Sequence, residues 1–183
     1  MIDLNNPKFV SFLSPQAEWK HALLIELGER FNLQILVETG TCYGGTINAV
    51  KHCFSEIHSI EIQKSIYDSV VRRFAEDRHV KLYHGSSRRI LRGVLSNVPS
   101  GPLLFWLDAH ITGGTTENDG DQINEELKII TEERPDSLIV IDDVKPDRCN
   151  GYEGPDAAIT IPEGYKAVFL HGVLIVHDGR YNI

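Results

Sequence analysis

The sequence predicts an α/β protein built on a doubly wound, mostly parallel sheet. Three observations support this prediction. Short runs of branched apolar residues alternate along the chain with amphipathic helical patterns. The runs are apolar at successive positions, which is typical of parallel strands buried on both faces. The last two runs stand too close together for a helical crossover and therefore indicate one antiparallel strand.

The first predicted element is a helix over residues 15–31. Ser14 is its expected cap, and Pro15 stands at the first helical position, where proline is favoured. Apolar side chains recur at every fourth position in this segment: Trp19, Leu23, Leu27 and Phe31. Short strands are predicted further along the chain, over residues 35–38, 57–62, 80–84, 103–108 and 138–143.

Helical patterns lie between these strands. Their apolar positions are Ile47, Val50 and Phe54; Ile66, Val70, Val71 and Phe74; Ile90, Leu91, Val94 and Leu95; and Ile123, Leu127 and Ile130. At the end of the chain, two apolar runs flank His171-Gly172 and predict a β-hairpin. We expect a single domain over residues 1–183, in which 1–32 form an N-terminal extension and helix.

Two stretches fall outside this alternation. Residues 111–121 and 144–164 are rich in glycine, proline and acidic residues, and each follows the end of a predicted strand. In open α/β sheets the ligand site lies at the carboxyl ends of the strands. We therefore interpret both stretches as lid or substrate loops.

The composition and net charge limit the classes of partner that we expect this protein to bind. The net charge is −8 and no basic cluster exceeds a pair of arginines, which argues against nucleic acid or an anionic membrane. No apolar stretch reaches the roughly 18–20 residues of a membrane span, and the N-terminus lacks a signal-peptide pattern. The cysteines form no CxxC pair, as expected of reduced thiols, so we expect a cytoplasmic protein. Apolar residues within 1–14 leave a homo-oligomer open.

A glycine-rich turn follows the first predicted strand. Its pattern is Glu38-x-Gly40-x-x-x-Gly44-Gly45, which differs from the GxGxxG fingerprint of dinucleotide-binding proteins. The second strand ends at Glu61, where a carboxylate can accept both hydroxyls of a ribose. The third strand ends in His84-Gly85-Ser86-Ser87, a small polar turn.

These residues resemble the class I S-adenosylmethionine-dependent methyltransferases. The resemblance covers roughly residues 33–178 and implies a Rossmann-like domain of seven strands in the order 3-2-1-4-5-7-6, with strand seven reversed. It also implies that Glu38 lies near the methionine end of S-adenosylmethionine and that Glu61 holds the ribose hydroxyls. The further positions that it assigns to cofactor binding are Gly40, Thr41, Gly44, Gly45, Ser86 and Asp108.

Three acidic residues end two neighbouring strands. Asp108 follows the fourth predicted strand, and Asp142 and Asp143 end the fifth. Carboxylates that converge raise one another's pKa, and a divalent cation relieves this repulsion. Magnesium prefers carboxylate oxygen and keeps waters that a substrate's hydroxyls replace.

The same three residues resemble the metal ligands of the cation-dependent O-methyltransferases of the catechol and macrolide-sugar types. The resemblance implies that a divalent cation, expected to be magnesium, aligns two vicinal oxygens of the acceptor. The lysine base of the catechol type is absent, because its place holds Ile111. His110 is the nearest titratable side chain, and an imidazole with an ordinary pKa of ~6.5 suits general-base work. We therefore expect His110 and Asp108 to be the catalytic residues.

The sequence thus favours metal-assisted O-methylation of a small polar hydroxylated acceptor, such as a sugar or polyol. Three alternatives stay open: a metal-independent methyltransferase, a nicotinamide-dependent oxidoreductase, and a binding protein that kept the fold without the chemistry. The oxidoreductase is disfavoured because neither GxGxxG nor a Tyr-x-x-x-Lys set is present.

Overall fold

The computed structural model describes residues 16–108, 122–144 and 159–183 of the 183-residue chain. Its helices are α1 (Gln16–Phe31), α2 (Gly45–Val50), α3 (Lys64–Arg73), α4 (Ser87–Leu95) and α5 (Gln122–Glu133). Its strands are β1 (Ile35–Thr39), β2 (Glu56–Glu61), β3 (Val80–His84), β4 (Leu104–Leu107), β5 (Leu138–Ile141), β6 (Lys166–Leu170) and β7 (Val173–His177).

The seven strands form one sheet in the order β3-β2-β1-β4-β5-β7-β6. Strands β1 to β5 pair in parallel, and β7 runs antiparallel to both β5 and β6. The predicted fold class, strand order and reversed last strand are therefore confirmed. The hairpin turn has positive φ at His171 (45°) and Gly172 (89°), and a two-residue turn with positive φ at both positions matches the twist of paired strands.

Helices cover both faces of the sheet, as predicted. On one face α1, α2 and α3 bury apolar side chains against the strands, and α1 contributes Leu23, Leu24 and Leu27, each 0% exposed. On the other face α4 and α5 pack together over a second apolar cluster that includes Leu91 and Leu127. Helices therefore cover the central strands on both faces.

Some sequence predictions differ from the structure or fall outside it. Val71, expected on the apolar face of its helix, is instead 38% exposed. The predicted cap Ser14-Pro15, the base His110, the loop 111–121 and residues 145–158 of the second loop lie outside the described residues. No helix in the described parts of the chain is long and apolar enough to cross a membrane.

Candidate active site

Parallel pairing brings the ends of β1, β4 and β5 to one edge of the sheet. The backbone N–H of Asp108 donates to the carbonyl of Thr39 across 2.9 Å, and the N–H of Asp142 donates to the carbonyl of Leu107 across 3.0 Å. Strand β1 thus holds the first residue after β4, and β4 holds the first residue after β5. The glycine turn after β1 and the acidic residues after β4 and β5 consequently lie along the same edge.

The glycine turn is held tightly against β2. The backbone N–H groups of Gly40 and Thr41 both donate to the carbonyl of Ile60, across 3.0 and 3.1 Å. Positive φ occurs at Gly40 (90°), Cys42 (48°) and Gly44 (73°). The non-glycine member of this series, Cys42, adopts a conformation that few residues other than glycine favour.

The two consecutive glycines have different reasons to be glycine. A Cβ at Gly44 would lie 2.5 Å from Cε2 of the Phe74 ring, so packing by α3 together with the positive φ excludes a side chain there. A Cβ at Gly45, the first residue of α2, would meet no atom within 4 Å. Protein packing therefore explains Gly44, while Gly45 leaves open space at the helix N-terminus.

Glu61 closes the turn from the end of β2. Its Oε2 accepts the backbone N–H of Cys42 and its Oε1 accepts that of Gln63, each across 2.8 Å. The residue is 5% exposed. An ionised carboxylate has about four acceptor positions, so these two bonds leave capacity for two ribose hydroxyls. Glu61 nevertheless has a structural role in the turn that the sequence did not indicate.

Glu38 lies inside the protein at the end of β1, 1% exposed. Its Oε2 accepts the hydroxyl of Ser59 across 2.5 Å, and the Ser59 oxygen lies 2.6 Å from the hydroxyl of Thr41. Either hydroxyl can be the donor in the bond between Ser59 and Thr41. Burial raises the pKa of Glu38 to about 8, against the lowering effect of hydrogen bonds from Ser59 and Thr46. The residue thus has a protonated carboxyl near neutral pH.

A buried carboxyl that the sequence analysis missed joins three elements near the same edge. Glu126 of α5 is 0% exposed and accepts hydrogen bonds from Thr39 at the end of β1 and from Ser87 and Gln122. Burial raises its pKa, although all three donors lower it. Ser86, which precedes α4, makes no side-chain capping bond. The Ser86 hydroxyl is therefore not committed to the helix.

The three acidic residues converge as predicted for a cation site. Asp108, Asp142 and Asp143 each offer a carboxylate oxygen, and these oxygens lie within 4.8 Å of one another. Burial, followed by the charges of Asp142 and Asp143, raises the pKa of Asp108 to about 7. Burial also raises the pKa of Asp142, while Asp143 is exposed.

A lysine from the N-terminal helix reaches this cluster, which the sequence analysis did not foresee. The Nζ atom of Lys20 lies 2.5 Å from Oδ1 of Asp142 and 3.0 Å from Oδ1 of Asp143. Burial lowers the pKa of Lys20, but hydrogen bonds and charges from both aspartates outweigh it, so the pKa is raised and the ammonium stays charged. The next residue, His21, has a pKa lowered mainly by burial, with Lys20 lowering it and Asp142 raising it.

The residues at this edge of the sheet fit a divalent cation and S-adenosylmethionine, the two bound groups that we expect from the sequence. Three hard oxygen donors within 4.8 Å match the ligand chemistry of magnesium or manganese. The open space beside Gly45 and the unfilled acceptor positions of Glu61 fit a ribosylated donor molecule. The structure brings Gly40, Gly45, Glu61 and the acidic cluster to one edge. Their roles in binding stay predictions, as does that of His110, which lies outside the described residues.

Comparison of the sequence with protein-family models gives no match, and comparison with curated proteins gives none. Solved structures do share the fold. The O-methyltransferase TomG from Streptomyces achromogenes, involved in tomaymycin synthesis and solved in complex with S-adenosylmethionine, superposes with a TM-score of 0.65 at 19% identity, over 90% of this chain and 81% of that one. An O-methyltransferase from Bacillus cereus in complex with SAH gives 0.63 at 16% identity, over 90% and 81%.

An rRNA methylase from Streptococcus thermophilus superposes with a TM-score of 0.56 at 12% identity, over 91% of this chain and 98% of that one. At these identities the likeness establishes the fold, which is the fold of the methyltransferase class that the sequence resembles. Since the same fold includes a protein named for rRNA, the fold by itself leaves the acceptor open.

Proposed function

We propose that this protein transfers a methyl group from S-adenosylmethionine to an oxygen of a small, polar, hydroxylated acceptor such as a sugar or polyol, assisted by a divalent cation. One observation carries the proposal. The glycine turn with Glu61, and the acidic cluster of Asp108, Asp142 and Asp143, stand at the same edge of the sheet. A methyl donor bound at the glycine turn and a methyl acceptor bound at the acidic cluster would lie side by side.

The donor half rests on the turn. Gly45 leaves room beside the first turn of α2, and Glu61 keeps acceptor capacity for two hydroxyls. The buried, neutral Glu38 and its hydrogen bonds to Ser59 and Thr46 fix the base of the turn. Methyl transfer from a sulfonium needs little acid–base chemistry, so rigid alignment of donor and acceptor supplies much of the acceleration.

The acceptor half rests on the acidic cluster. A divalent cation held by Asp108, Asp142 and Asp143 would supply Lewis-acid chemistry, orienting vicinal oxygens and favouring deprotonation of the hydroxyl to be methylated. The chain contributes the three carboxylates at fixed strand ends and a net charge of −8, which suits a cationic donor better than a phosphate-rich partner.

A metal-independent methyltransferase is the second candidate, and Lys20 favours it. Its ammonium already balances part of the charge of Asp142 and Asp143. In that case Asp108, with a pKa of about 7, would itself accept the proton of the acceptor hydroxyl at its carboxylate oxygen. The two candidates share the donor site and differ in the cation and in the role of Asp108.

Transfer of labelled methyl from S-adenosylmethionine to a panel of sugars and polyols tests the proposal. We expect transfer in magnesium or manganese, loss in excess chelator, and a strong reduction in Asp142→Asn. Full transfer in chelator would leave the metal-independent candidate. Absence of transfer to every hydroxylated acceptor, with donor binding intact, would contradict the proposed acceptor class.

A further inference from the structure

The ammonium group of Lys20, a residue of the chain itself, contacts the acidic cluster. Lys20 of α1 is 14% exposed at its side chain, and its ammonium contacts Asp142 at 2.5 Å and Asp143 at 3.0 Å. More than 120 residues of chain separate the lysine from these aspartates. The contact therefore depends on the docking of α1 against the sheet.

Helix α1 holds Lys20 in place firmly. Leu23, Leu24 and Leu27 follow Lys20 by three, four and seven positions and are 0% exposed in the core. Positions at this spacing share one face of a helix. The stem of Lys20 therefore leaves the buried face of an anchored helix, and its ammonium is brought to the acidic cluster by the fold.

Lys20 contacts two of the three carboxylates that a divalent cation would need. Oδ1 of Asp142 and Oδ1 of Asp143 both contact the ammonium, and both carboxylates belong to the cluster whose oxygens lie within 4.8 Å. The ammonium brings one positive charge to these carboxylates, whereas a divalent cation would bring two. A dication and an ammonium at the same two carboxylates would repel each other strongly.

We propose that Lys20 is a built-in competitor of the divalent cation: it holds Asp142 and Asp143 while the metal is absent and leaves them when the metal binds. This inference rests on the cation site of the proposed function. It assigns Lys20 as a positioning residue that keeps the metal-free cluster together and lowers its affinity for metal.

Metal affinity of the whole chain, without donor or acceptor, tests the competition. Free Mn²⁺ is measured by electron paramagnetic resonance during titration of the wild type, Lys20→Met, Lys20→Arg and Lys51→Met. Lys20→Met keeps a similar stem and removes the charge. Lys51→Met is the matched control, because Lys51 forms a partly exposed ion pair with Asp77 at 2.7 Å outside the acidic cluster. Retention of cooperative thermal unfolding establishes that each variant is folded.

We expect Lys20→Met to bind Mn²⁺ at least tenfold more tightly than the wild type, about 1.4 kcal/mol, and Lys20→Arg and Lys51→Met to stay within about twofold of it. Equal affinity in the wild type and folded Lys20→Met would overturn the inference and leave the cation site standing. If no variant binds Mn²⁺, both the inference and the metal part of the proposed function fail, while donor binding is unaffected.

A second measurement follows the lysine directly and does not depend on a variant. Reductive methylation of the wild type, read at each lysine by mass spectrometry, should modify Lys20 slowly without metal. Saturating Mg²⁺ should raise the rate at Lys20 several-fold and leave the rate at Lys51 unchanged. Equal protection of Lys20 with and without bound Mg²⁺ would overturn displacement, whatever the affinities of the variants.

Discussion

At the scale of single residues, Glu38 is the most unusual group at the edge. Its carboxyl is 1% exposed and has a pKa of about 8, against an ordinary 4.5. The folded protein therefore binds this proton more tightly than the unfolded chain does. The resulting stability is fully present below pH 4.5 and is lost as the pH rises through about 8.

We expect the free energy of unfolding of the ligand-free protein to fall between pH 5.5 and pH 8. Over the whole range from pH 4.5 to about 8, Glu38 contributes at most about 5 kcal/mol to this fall. Glu38→Gln cannot titrate and should remove the part of that fall that Glu38 contributes, while Asp108, whose pKa is also raised, to about 7, keeps its own part. Urea denaturation at the two pH values measures it, with the exposed Glu29→Gln as control. If Glu38→Gln loses as much stability as the wild type over this interval, Glu38 is not the protonated group.

Two adjacent glycines allow packing to be separated from ligand binding. Gly44→Ala places a Cβ 2.5 Å from the Phe74 ring at a φ of 73°, and we expect a loss of at least ~2 kcal/mol of stability. Gly45→Ala meets no protein atom within 4 Å and should leave stability unchanged or raise it by at most ~1 kcal/mol.

If the donor lies against Gly45, the added methyl should weaken binding of S-adenosylmethionine about tenfold, roughly 1.4 kcal/mol, although the fold is intact. Thermal denaturation and calorimetric titration of both variants give the two quantities. Wild-type affinity in Gly45→Ala would remove this glycine from the donor site.

At the scale of elements, Glu126 connects the end of β1 with α4 and α5 through hydrogen bonds from Thr39, Ser87 and Gln122. Glu126→Ala would leave these donors without their acceptor, and we expect it to lose about 2–4 kcal/mol of stability. Glu126→Gln keeps an oxygen for Ser87 and Gln122 and can donate to Thr39, so it should lose at most ~1 kcal/mol. Chemical denaturation compares them; equal losses would show that the amide of glutamine does not replace the carboxyl, which would contradict this account of the hydrogen bonds.

The spacing of apolar residues predicted most of the helices and strands, because their apolar faces are continuous. The strand runs 80–84 and 138–143 and the hairpin around His171-Gly172 correspond to β3, β5 and the β6–β7 turn within one or two residues. The same reasoning placed Val71 on the apolar face of its helix, but Val71 is 38% exposed. Its neighbour Val70 is 2% exposed, and a short helix with adjacent apolar residues does not tell which of the two faces inward.

Long-range polar contacts were not predictable from spacing. Glu126 stands beside Leu127 in a helical pattern, and nothing in its local sequence indicates that its carboxyl enters the sheet edge. Lys20 shares a helix face with Leu23, Leu24 and Leu27, but this spacing does not indicate which group its ammonium contacts. Its contact with Asp142 arises only when α1 docks on the sheet and brings together segments far apart in the chain.

At the scale of the whole molecule, strand order determines which side chains meet. Because β1 lies between β2 and β4, the glycine turn is beside both Glu61 and Asp108. Because β5 follows β4 in the sheet, Asp142 and Asp143 reach Asp108. The convergence of these acids was expected from the sequence once neighbouring strand ends were assigned, and the topology provides its physical cause.

Calorimetric titration of the purified 183-residue chain with S-adenosylmethionine, SAH and NAD tests whether the donor site is that of a methyltransferase. The proposed methyltransferase should bind one molecule of S-adenosylmethionine or SAH per chain and show no heat of binding with NAD. Binding of NAD without binding of S-adenosylmethionine or SAH would contradict the proposed donor site and favour an oxidoreductase. Binding of none of the three ligands would also contradict the proposed donor site.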